Sequence, residues 1–109
     1  METWEEQFHS EIKKAKSARA AGNEGRARVC ARRAAGIVIG EYFRSKDYSL
    51  PSASAHDRLR LLNSLPGLPV EIYQVTQHLL ERVNPNYQLP SDADLVNEAE
   101  WLREALLPP

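Results

Sequence analysis

The sequence predicts an all-α protein: an antiparallel four-helix bundle core with a short extra helix, formed by residues 1–109 as a single helical domain. Three observations predict it. Apolar residues recur at spacings of three and four along most of the chain, the period of one helix face. Ser, Thr, Asn or Asp stands in front of most of these stretches, where a helix start needs a side-chain acceptor. No segment alternates apolar and polar residues as a half-buried strand would, and no repeat recurs at a fixed period.

The first helix opens at "TWEE", with Thr3 as cap and Glu6 three residues on, as in a capping box. Trp4, Phe8, Ile12, Ala15 and Ala18 form its stripe. Gly22 suits a left-handed helix end and Asn23 can cap the next helix, so the first two helices form a tight hairpin. The second helix spans 24–45 and should bury Ala27, Cys30, Ala31, Ala34, Ile37, Val38 and Tyr42. Gly36 and Gly40 each weaken an isolated helix by about 1 kcal/mol relative to Ala, so their place here points to close approach by a neighbour. From Ala34 onward this helix is apolar nearly all round, because Ile39 and Phe43 lie opposite Val38. Such a helix is either central or meets a second subunit. The outward face of Ile39 and Phe43 is therefore the expected interface of a homodimer.

After the loop "SKDYSLPSAS", Ser54 to Asp57 can cap a short third helix carrying Leu59, Leu62 and Leu65. "PGLP" ends it, and Pro69 fits the first turn of a fourth helix with Ile72, Val75, Leu79 and Val83. "NPNYQLP" reads as a turn. Ser91 and Asp94 open the last helix, with Leu95, Ala99, Leu102 and Leu106 on one side.

Composition narrows the function classes. Hydrophobic residues at 42% and charged residues at 27% are ordinary globular values. The lone Cys30 cannot form an internal disulfide, which fits a reducing, cytoplasmic setting. The acidic N-terminal stretch does not read as a signal peptide. The longest apolar run, "AAGIVIG", is far short of the ~20 residues of a membrane span. Net charge is −1 but uneven: residues 13–33 carry eight Lys or Arg against one Glu. That segment is either a solvated face balanced by the acidic C-terminal half, or a footprint for an anion or nucleic acid.

Motifs for chemistry are sparse. No two of His9, His56 and His78 sit at helical ligand spacing, there is no HExxH, and no metal or cofactor is expected. "GNEG" is not followed by the Lys-Ser or Lys-Thr of a phosphate loop. Cys30 on an apolar face reads as core rather than nucleophile. At ~100° per residue the arginines split into two pairs. Arg28 and Arg32 share the side of Ile39 and Phe43, and Arg26 and Arg33 lie on a flank. Two readings are open for Arg28 and Arg32: surface ion pairs with Glu24, Glu98 or Glu104, or a fork around a phosphate or a partner's carboxylate. His56 beside Asp57 at the start of the third helix either packs there or joins such a site.

The order of features resembles the HEPN family (higher eukaryotes and prokaryotes nucleotide-binding) over roughly Trp4 to Leu106. Ala31-Arg32-Arg33-Ala34-Ala35-Gly36 stands where that family has its alanine- and glutamine-rich segment. His56, Leu59 and Leu62 match part of its histidine-led motif, and Arg82, Asn84, Pro85 and Tyr87 its turn before the last helix. Ribonuclease members carry an arginine followed by four to six residues and a histidine; no histidine here has an arginine at that distance. The resemblance thus implies a non-catalytic binding module for a nucleotide, RNA or a partner nucleotidyltransferase, commonly dimeric. Arg28, Arg32, Arg33 and His56 are the expected ligand-binding residues. The alternatives are a divergent ribonuclease using His56 with Arg82 or an arginine of the second helix, and a purely structural homo-oligomeric subunit.

Overall fold

The Gly22 hairpin sets the first packing decision of the chain. In the computed structural model, which describes residues 2–49, 52–81 and 93–108, helix α1 (Trp4–Ala20) ends in a Schellman turn. Gly22 takes φ +81°, Asn23 N donates to Ala18 O at 2.8 Å, and Gly22 N donates to Arg19 O at 3.0 Å. These bonds satisfy carbonyls that the helix end would otherwise leave open. The Asn23 side chain then accepts from Arg26 N at 3.1 Å and starts α2 (Glu24–Ser45). Three helices follow: α3 (Ala55–Ser64), α4 (Val70–Leu80) and α5 (Leu95–Leu106). No strand occurs among the described residues, and the five helices form one compact bundle.

The caps fall where the sequence places them. Thr3 accepts from Glu6 N, Ser54 from Asp57 N and Asp94 from Asn97 N. Pro69 caps α4 from one residue before the first turn, without a side-chain bond. At the end of α2, Asp47 adopts φ 58°, and Tyr48 N reaches back to Phe43 O at 2.9 Å. The Tyr48 ring rests on Phe43, the apolar contact that accompanies such turns. Residues 82–92, which include Arg82, Val83, Ser91 and the expected turn motif, lie outside the described residues.

Helix α2 is the centre. It packs on α1, α3 and α5, and the contacts of α3 with α4 and of α4 with α5 close the ring. Ala27, Cys30, Ala31, Ala34, Ala35 and Val38 have no exposed surface, and small residues at these positions let the neighbouring helices approach. The two glycines do what their cost implies. A Cβ on Gly36 would stand 2.8 Å from Ala55 Cβ, and one on Gly40 would collide with the Arg58 guanidinium. Thus α3 crosses α2 at a seat that only glycine leaves open.

One expectation is corrected here. Ile39 and Phe43 do not face outward: both are fully buried in the chain's own core. The reason is that α3 lies on the Gly36–Gly40 side of α2 and encloses the surface that a single helical wheel leaves bare. A homodimer would have to use other residues. Trp4, Ile37 and Tyr42, expected in the core, are only partly buried at its edge.

Candidate ligand groove between α1, α2 and α3

The free strip of α2 runs along Arg26, Arg33, Ile37 and Arg44, residues that share one side at ~100° per residue. Helix α1 flanks it on one side and the start of α3 on the other. Between them lies a groove of about 400 Å³, lined among others by Glu11, Arg33, Ile37, Ser54 and Arg58. Ile37 also lines two smaller adjoining hollows, one toward Arg44 and one toward Lys14. An apolar floor with charged walls results.

Each wall has a local cause. Arg58 stands on the first turns of α3 and is held by two backbone carbonyls: Nε donates to Ser52 O and Nη1 to Gly36 O, both at 3.0 Å. Its remaining Nη2 has no partner among the described residues. Arg33 is exposed and forms no hydrogen bond or ion pair among the described residues. Arg44 is engaged by Glu41 at 2.6 Å. Glu11 reaches in from α1; its Oε1 meets Lys14 Nζ at 3.7 Å, and its Oε2 is buried without a donor among the described residues. Ser52, Ser54 and Asp57 form a local knot at the head of α3, with Ser52 donating to Asp57 Oδ2 at 2.8 Å. That places the positive end of α3 at the groove, partly offset by Asp57.

The four residues expected to bind ligand do not converge. Arg33 alone lines the groove. Arg32 instead closes the end of α4: Nε donates to Leu79 O and Nη2 to Glu81 O, both at 2.8 Å. Burial holds its pKa below the usual guanidinium range, and the nearby Arg28 pushes the same way. Arg28, half-buried, lies outside the groove lining and near enough to Glu24 to help hold that carboxyl down, after Arg19. His56 is exposed on α3 and does not line the groove. The carboxylates expected to pair with the α2 arginines are taken elsewhere. Glu24 pairs with Arg19, Glu104 with Arg103, and Glu98 meets His78 Nδ1 at 2.7 Å.

Arg58 is the site residue that the sequence does not announce. Its role depends on the carbonyl of Gly36, 22 residues earlier, and no local pattern encodes that contact. The one available signal was the Gly36–Gly40 pair, which marks a close approach without saying whose. Cys30 is buried as expected, and no group of three potential metal-ligating side chains forms among the described residues. No helix there is long and apolar enough to cross a membrane. No family model matches the chain, and neither a curated protein nor a solved structure shows significant similarity to it.

Proposed function

We propose that the protein is a HEPN-like binding module without chemistry of its own, with the four-helix core and extra helix of that type, and that it holds a nucleotide in the Arg33–Arg58 groove. The observation that carries the reading is Arg33. It is an exposed guanidinium with no partner among the described residues, facing a groove whose floor is Ile37 and whose far wall is a second arginine. Guanidinium groups bind phosphate through paired N–H donors, and Arg58 is already oriented by its two carbonyls. The volume of about 400 Å³ suits a small ligand, since such sites typically span roughly 300–1,000 Å³. General acid–base chemistry needs groups of suitable pKa within reach of one another; the ionisable groups lining this groove are Glu11, Arg33 and Arg58, and no histidine is among them.

Titration with 5′-mononucleotides at low salt tests the reading. Binding should weaken by roughly ten- to a hundred-fold in Arg33→Ala, the loss of a charge-assisted bond, and stay unchanged in Arg28→Ala. Undiminished binding by Arg33→Ala would remove the groove as the site. Binding of RNA or of a nucleotidyltransferase without mononucleotide binding would move the function to another surface.

A further inference from the structure

We propose that Glu11 makes this groove selective for a nucleobase with two adjacent N–H donors, the pattern of the guanine edge. The inference rests on the nucleotide reading above and adds the base to it. Glu11 projects from α1 into the groove that holds Arg33 and Arg58, and it also borders the neighbouring hollow beside Lys14. Its carboxylate is left unusually bare of donors. Among the described residues Oε1 has only Lys14, at 3.7 Å and beyond hydrogen-bond range, with 16% of the Glu11 side chain exposed. Oε2 is buried and has no hydrogen-bond partner among the described residues. A buried acceptor without a donor carries its desolvation cost uncompensated, so a ligand that brings donors recovers it.

The geometry of the other charges sets what that ligand must be. A simple anion gains from Arg33 and Arg58 but is repelled by Glu11. A simple cation meets the reverse. A ligand with an anionic end and a donor edge satisfies both walls, and a nucleotide with guanine is such a molecule. An ionised carboxylate only accepts. Guanine offers N1–H and the exocyclic amino group side by side, matching two carboxylate oxygens. Adenine and cytosine set one donor beside an acceptor, which faces a carboxylate oxygen with a lone pair. Hypoxanthine keeps N1–H and lacks the amino group. The terminal torsion of a glutamate side chain is broad, so Glu11 can turn Oε2 toward the groove at small cost.

The test is a calorimetric series with GMP, IMP and AMP against the intact chain. GMP should bind about ten- to a hundred-fold tighter than AMP, the discrimination of one bidentate base contact, with IMP between them. Glu11→Gln, which keeps shape and replaces one acceptor by a donor, should weaken GMP binding and bring the three affinities together. Equal affinity for GMP and AMP in the wild type, or a GMP preference that survives Glu11→Gln, would overturn the assignment while the nucleotide reading stands. No binding by any of the three overturns both.

Discussion

Gly36→Ala should destabilise the protein although it improves the local helix. Gly36 lies within α2, where replacing Gly by Ala gains about 1 kcal/mol of helix propensity. Against this, the new methyl would sit 2.8 Å from Ala55 Cβ and 3.0 Å from Ala55 Cα. Those atoms belong to the first residue of α3 and cannot rotate away, so the helix itself must shift. Overpacking of this kind costs about 1–3 kcal/mol. The shift also pulls Arg58 from the Gly36 carbonyl, a bond of the charged type worth ~1.5–3 kcal/mol. The balance is a loss of about 1.5–5 kcal/mol. At ~4–8 °C per kcal/mol for a chain near this size, the melting temperature should fall by roughly 6–40 °C. Thermal denaturation followed by far-UV circular dichroism reads it directly. Gly25→Ala is the control: a Cβ there meets only Asn23 Oδ1 at 3.9 Å, so that variant should gain up to about 1 kcal/mol. If Gly36→Ala melts at or above the wild-type temperature, the close seat of α3 on α2 is wrong.

Two further outcomes follow from the charged contacts. Arg32→Ala should cost about 1–3 kcal/mol in denaturant unfolding, because the carbonyls of Leu79 and Glu81 lose their donor; nucleotide affinity should be unchanged, and a loss of affinity at full stability would restore Arg32 to the site. Arg19 holds the Glu24 carboxyl below the usual range; for Asp94 burial pushes up, and the bonds from Arg19 and Asn97 N outweigh it. Both carboxylates thus contribute stability that is complete above the ordinary carboxylate pKa of about 4 and is lost as pH falls through their lowered values. The denaturation midpoint should drop below about pH 4, and by less in Arg19→Gln. With all three side chains at least a third exposed, the difference should stay near or under about 1 kcal/mol. An acid limb identical in the variant would exclude the knot as its source.

The sequence reveals what is local and hides what is long-range. Thr3, Asn23, Ser54 and Asp94 are legible as caps because a cap needs only its own next three residues. Gly22 is legible because few other residues take its backbone angle. The sidedness of α2 was harder. A helical wheel shows that Ile39 and Phe43 are apolar and on a different side from Val38, but not that the chain's own core covers them. The glycines that admit α3 carry that information only in combination with Ala55 and Arg58, about twenty residues away. The arginines mislead for the same reason. Arg28 and Arg32 look paired on the wheel, yet Arg32 is claimed by carbonyls 47 and 49 residues on. Arg33, given the lesser role from its flank, is the one of the four expected ligand-binding residues that lines the groove.

The Arg19 knot has a consequence for how the chain is made. Arg19 joins Glu24, its neighbour across the first hairpin, to Asp94 at the head of α5. During synthesis the α1–α2 hairpin can close at once, since every bond in its turn is local. The flank of α2 that receives α5 stays uncovered until residues 95–106 have been added. A nascent chain therefore carries an unshielded apolar side on its central helix until those residues emerge. That interval is when a chaperone, or another nascent copy, would find it.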